Sequence, residues 1–149
     1  MGIEKDIKAK NFISNFQKAM VNLYFTSKWW NQQTDTIFSK YDIQAQHFNI
    51  LRILSGNNKQ PKAIKEIKEV IMDKGSDVTR LIDKLVKMEL VSRELNPDNR
   101  REMLTMITLK GFRLCETIVA QLTALIKQTD NLTEKEAIEL NRLLDKVRG

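Results

Sequence analysis

The sequence predicts a mostly α-helical protein with one small β-hairpin. Two prolines and five glycines among 149 residues leave long stretches in which a helix meets no interruption. Apolar residues recur every three to four positions through most of the chain, which is the spacing of one helix face. One segment departs from it: "LVSREL" alternates Val91 and Leu95 with charged residues, "NPDN" supplies turn chemistry, and "REMLTMIT" favours strand.

A chain of this length with 42% hydrophobic residues can bury a core as one compact domain or two interlocked subdomains. It contains no apolar stretch of transmembrane length, and its N-terminus, "MGIEKDIKAKNF", is charged where a signal peptide is apolar. No membrane span and a cytoplasmic location are therefore expected. Cys115 is the only cysteine and cannot form an internal disulfide, which suits a reducing compartment. The formal net charge of +6 permits a polyanionic partner. Between Lys62 and Arg101 bases only slightly outnumber acids, so a basic footprint must come from side-chain placement.

Taken in order, Ile7, Phe12, Phe16, Met20, Leu23 and Tyr24 predict a long helix from Ile3 to Phe38. Its stripe also includes Val21, Phe25, Trp29 and Trp30, wider than one short neighbour covers, and predicts packing against another subunit. "SKYDIQAQHFNILRIL" gives a second helix, and "SGNNKQP" ends it at the best internal boundary. After Pro61, Ala63, Ile64, Ile67, Val70 and Ile71 form a short amphipathic helix, with Gly75 of "DKG" suited to its C-cap. Ser76 is the expected N-cap of the next helix, Asp77 complements its dipole, and Val78, Leu81, Ile82, Leu85 and Val86 carry it to about Glu89.

Two short helices joined by a tight glycine-containing turn describe a helix-turn-helix, although an ordinary helical hairpin has the same pattern. The β-hairpin that follows completes the order of a winged helix. Thr108 then caps a helix carrying Leu114, Cys115, Ile118, Val119, Leu122, Leu125 and Ile126. Thr133 and Glu136 form a capping box for a last helix with Ile138, Leu140, Leu143, Leu144 and Val147. The predicted architecture is a winged helix-turn-helix over residues 41–111, bracketed by a helical dimerisation region formed by residues 1–40 and 112–149.

The stretch "SDVTRLIDKLVKMELVSRELNPDNRREMLTMITLKG" resembles the MarR family of bacterial winged-helix transcription regulators. A cap at Ser76, "TRL" at 79–81, "DKL" at 83–85, "LV.R" at 90–93, a wing resembling D-R-R at 99–101 and "T.KG" at 108–111 fall in the family's order. Asn99 stands where the family commonly has aspartate, so a wing salt bridge to Arg101 becomes a neutral hydrogen bond unless Asp98 substitutes.

The apolar face of the second helix leaves Asp77, Thr79, Arg80, Asp83, Lys84 and Lys87 off the core. An α-helix fits the major groove of B-DNA with its N-terminal residues nearest the base edges. Arg80 is the first candidate for guanine readout, Thr79 for a thymine methyl or a phosphate, and Ser76 and Lys84 for phosphates that set register. Asp77 and Asp83 suit helix capping and ion pairs with Arg80 or Lys84, which would orient those cations; a solvated helix face is the alternative for Arg80 and Lys84. Arg100 and Arg101, with Asn99, sit at the hairpin tip, from which arginines reach a narrow, negative minor groove. The resemblance makes Arg101 the family's wing arginine and leaves Arg100 to a phosphate.

Nothing in the sequence suggests an enzyme. His47 is the only histidine, and neither a metal-spaced Cys and His cluster nor a Gly-rich phosphate loop is present, so no cofactor or metal is expected. Cys115 lies on an apolar stripe, the setting of a small inert hydrophobe. The expected function is a dimeric, sequence-specific DNA-binding regulator, read as a repressor, on pseudo-palindromic half-sites about one helical turn apart. The resemblance also implies a small aromatic or phenolic effector in a cleft between the two regions, with Tyr24, Trp29, Trp30 and His47 as candidate lining, although core or dimer contacts explain each of them. The rival is a winged-helix protein-interaction module without DNA binding.

Overall fold

The computed structural model describes residues 2–9, 11–56, 60–129 and 131–149. Its elements are α1 (Ile3–Asp6), α2 (Asn15–Phe38), a 3-10 turn (Ser39–Tyr41), α3 (Ala45–Ser55), β1 (Lys62–Ala63), α4 (Ile64–Val70), α5 (Val78–Lys87), β2 (Val91–Asn96), β3 (Asn99–Ile107), α6 (Leu109–Thr129) and α7 (Glu134–Arg148). The sheet is antiparallel in the order β1-β3-β2. Among the described residues no helix is long and apolar enough to cross a membrane.

Ile50, Leu51 and Leu54 of α3 meet Ile67 of α4, Ile71 just beyond it, and Val78, Ile82 and Leu85 of α5 in one buried cluster, closed by Leu90, Val91 and Cys115. Each fully buried Leu or Ile contributes about 1.5–3 kcal/mol, so this face fixes α5 against α3 and turns its other face outward. A second cluster, Ile37, Phe38, Ile43 and Ile118, joins the end of α2 to α6. Cys115 is fully buried and burial raises its thiol pKa, the inert setting expected.

Several local expectations are corrected. The helix expected from Ile3 to Phe38 is two helices: Lys8 adopts a left-handed backbone (φ 54°), and Ser14 starts α2 by accepting the Gln17 backbone N–H at 3.1 Å. The helix expected from Ser39 breaks at Asp42, also left-handed, and restarts at Ala45 with the His47 ring accepting the Gln44 N–H. Lys62 and Ala63 are strand, paired with Thr105 and Leu104. The "SGNNKQP" loop lies partly outside the described residues, at 57–59.

Gly75 is not a C-cap, because α4 ends at Val70 and Ile71 turns extended (ψ 137°). The intervening turn is held from α3: Asn49 accepts the Met72 N–H at 2.9 Å, and Gln46 donates to Asp73, which itself accepts the Gly75 N–H. These bonds, Gln46 first, hold the Asp73 carboxyl below the usual range. The N-cap of α5 is Asp77 rather than Ser76, its carboxylate accepting the Arg80 N–H at 3.1 Å, while the Ser76 N–H goes to the Asp73 carbonyl.

The far end of α5 explains the "T.KG" spacing physically. Glu89 takes a left-handed conformation (φ 60°), the Leu90 N–H reaches the Leu85 carbonyl and the Glu89 N–H reaches that of Val86, which is a Schellman closure. Thr108 donates its hydroxyl to the Glu89 carbonyl at 2.8 Å and accepts the Gly111 N–H at 3.0 Å, so it caps α6 as expected. Lys110 donates to the Met88 carbonyl. A Cβ on Gly111 would lie 2.0 Å from the Leu90 carbonyl oxygen, so only glycine permits this approach. The Thr133–Glu136 capping box of α7 is present as expected.

Candidate nucleic-acid interface

Thr79 and Arg80 project from the first turn of α5 and are exposed. Ser76, Asp77, Arg80 and Lys84 line one open concavity of about 750 Å³ together with Asp42 and His47. Lys84 is half-buried and pairs with the Asp42 carboxylate at 3.2 Å. The expected pairing of Asp83 with Arg80 or Lys84 does not form. Asp83 binds the Arg93 guanidinium of β2, which also lies 3.5 Å from the Thr79 carbonyl. Arg80 is left with an uncommitted guanidinium.

His47 is buried and its pKa is lowered, first by burial and then by the Lys84 charge, with Asp42 opposing. Its ring is a neutral helix cap facing the concavity. Tyr24 and Trp29 are exposed on α2, and the concavity that His47 lines includes none of Tyr24, Trp29 and Trp30. Among the described residues no group of three or more His, Cys, Asp or Glu is placed to hold a metal.

The wing differs from a simple hairpin with arginines at its tip. Pro97 and Asp98 make the turn. Adjacent residues Leu95 and Asn96 face Met103 and Asn99, so residues 100–102 bulge out of register behind it. Arg100 and Arg101 are exposed on that bulge. Asn99 does not take the aspartate's place opposite the Arg101 guanidinium; its side-chain oxygen accepts the Arg101 backbone N–H at 3.2 Å and shapes the bulge. Glu102 spans the base of the bulge, accepting from Asn96 at 2.9 Å and pairing with Lys65 of α4 at 3.0 Å.

The candidate cations thus fall into two groups. Among the described residues Arg80, Arg100 and Arg101 carry no ion pair, whereas Lys65, Lys84, Arg93 and Lys110 are each tied to a carboxylate of the chain itself. Residue identity alone did not reveal the roles of Asp42, Arg93 and Glu102. One signal was present for Arg93: an exposed aspartate in the middle of α5 calls for a cation from a neighbouring element.

A further surface is apolar and exposed. Phe16 is 70% exposed on α2, Ile126 is exposed on α6, and Ile138, Leu140, Leu143 and Val147 are exposed on α7, which buries no residue within the chain.

Residues 43–103 match the model of the MarR family. The chain is 30% identical over 131 residues to the HTH-type transcriptional regulator MgrA of Staphylococcus aureus, spanning 85% of this chain and 79% of that protein. It is similar in structure to a mutant MarR from E. coli complexed with operator DNA, with a TM-score of 0.76, 26% identity and coverage of 93% of this chain and 99% of that one. A MepR–DNA complex from S. aureus shares the fold, with a TM-score of 0.77, 18% identity and coverage of 87% and 94%.

Proposed function

Because the chain belongs to the MarR family of transcriptional regulators, we propose that it is a dimeric, sequence-specific DNA-binding regulator that acts as a repressor on a pseudo-palindromic operator in the cytoplasm. α5 enters the major groove: Arg80 reads a base edge, Thr79 contacts a thymine methyl or a phosphate, and Ser76, Lys84 and the N-terminus capped by Asp77 meet the backbone. The wing, shaped by Asn99, sends Arg101 into the minor groove and Arg100 to a phosphate. The observation that carries this reading is the set of three exposed guanidiniums, Arg80, Arg100 and Arg101, without an internal ion pair on the two elements that a winged helix presents to DNA. The structural similarity to an E. coli MarR mutant complexed with operator DNA supports DNA as the partner.

Residues 1–40 and 112–149 form the dimerisation region, and a second copy covers the apolar residues of α2, α6 and α7. That exposed stripe supports the reading, since patches of this kind mark interaction sites. A small aromatic effector fits the apolar cleft of about 410 Å³ lined by Tyr41, Met88, Leu90, Lys110 and Leu114, where the end of α5 meets α6.

The test is a salt titration of binding to generic duplex DNA, with the dimer's mass measured in parallel. Each phosphate neutralised contributes about −0.9 to the slope of log K against log salt, so several contacts give a steep line. A dimer whose DNA affinity is negligible at low salt would instead favour the protein-interaction module.

A further inference from the structure

The wing carries a carboxylate where a DNA-binding surface gains nothing from negative charge. Glu102 closes the bulge that displays Arg100 and Arg101, and its side chain is only 21% exposed while that of Lys65 is 71% exposed. Its two oxygens have separate partners: Oε1 meets the Lys65 ammonium at 3.0 Å, and Oε2 accepts from the Asn96 amide at 2.9 Å. The other end of the Asn96 amide accepts the Asp98 N–H at 3.0 Å, so one side chain links the turn to the base of the bulge. The Asn99 oxygen on the Arg101 N–H pins the bulge in the middle.

We propose that Glu102 is a positioning residue for the wing: it ties the bulge to β2 through Asn96 and to α4 through Lys65, and so holds the Arg101 guanidinium at its place on the DNA. This rests on the DNA-binding reading above. Lys65 and then Asn96 hold the Glu102 carboxyl below the usual range, so the tie is ionised at neutral pH. Residues 100–102 have no register partner on β2, so without Glu102 the ladder gives the bulge no fixed geometry. Because α4 is the first helix of the helix-turn-helix, the same carboxylate fixes the wing relative to α5.

Charge and positioning predict opposite signs. Neutralising Glu102 removes a negative charge from the DNA face and frees the Lys65 ammonium, which on Coulomb grounds tightens binding to a polyanion. Loss of position weakens it.

The experiment compares wild type, Glu102→Gln and Glu102→Ala on the duplex that wild type enriches from a random pool, by anisotropy at fixed salt, by hydroxyl-radical footprinting for the minor groove and by protection of guanine N7 from methylation for the major groove. Gln keeps an acceptor for Asn96 and loses the ion pair; Ala loses both. The expected result is a graded loss, reaching about tenfold for Glu102→Ala. Protection should fade at the minor-groove positions flanking the α5 contact and persist in the major groove, with melting temperature and dimer mass unchanged. If both variants bind as tightly as wild type or tighter, the positioning role is overturned while the regulator reading stands. If wild type itself enriches no duplex, that reading fails and the inference fails with it.

Discussion

Arg93 on β2 and Asp83 on α5 join the wing to the second helix of the helix-turn-helix, and the same guanidinium lies 3.5 Å from the Thr79 carbonyl one turn earlier. Wing and helix are braced as one unit, with Arg80 beside the brace and free of it. Arg93→Ala should leave folding stability within about 1 kcal/mol of wild type, as expected for a partly exposed pair. DNA affinity should fall by more than that, because Asp83 would then face the phosphates unpaired. Urea unfolding and anisotropy separate the two effects, and adding Asp83→Asn should recover part of the lost affinity.

Asp42 and Lys84 set up a competition. The Asp42 carboxylate holds the ammonium assigned to a phosphate, so DNA must displace it. Asp42→Asn should tighten binding to generic duplex, because Lys84 no longer has to leave a carboxylate, and Lys84→Gln should make the salt slope shallower by about 0.9, the share of one phosphate. A slope unchanged in Lys84→Gln would show that Lys84 makes no phosphate contact.

Helix identity and the caps of α6 and α7 were legible because they are local. Thr108, Thr133 and Glu136 cap where their spacing to the next helix says they should. The break between α1 and α2 was hidden because no proline or glycine lies between Ile3 and Ser14, while Lys8 turns left-handed and Ser14 offers a better start. β1 was hidden because two residues become strand only by pairing with Thr105 and Leu104, far along the chain. Residue type and element placed Arg80 on the helix and Arg100 and Arg101 on the wing, and all three are exposed there. The partners of Lys84, Asp83 and Glu102 were not, since each comes from another element brought close by the fold.

Gly111 makes a sharper test of packing. A Cβ there meets the Leu90 carbonyl oxygen at 2.0 Å, a backbone atom already bonded to the Thr108 N–H and unable to swing aside. Gly111→Ala should cost about 1–3 kcal/mol or more and lower the melting temperature accordingly. A melting temperature equal to wild type would contradict this junction of α5 and α6.

His47 predicts the acid side of the stability curve. Its folded pKa lies below that of the unfolded chain, where histidine titrates near about 6.5. The folded state therefore binds fewer protons, and stability that is complete above this pH declines as pH drops below it, because only the unfolded chain gains the proton. Carboxylates held low, such as Asp73 and Glu139, begin to lose their contribution only below about 4.5. Urea midpoints should therefore fall between about pH 6.5 and 5 for wild type and stay nearly level for His47→Gln.

The most direct test of the regulator reading is selection of bound duplexes from a random pool, with wild type and an Arg80→Ala, Arg101→Ala double variant side by side. Wild type should enrich an inverted repeat with half-sites about one helical turn apart, and the folded double variant should not. A folded dimeric wild type that enriches no sequence would contradict the assignment of α5 and the wing to DNA.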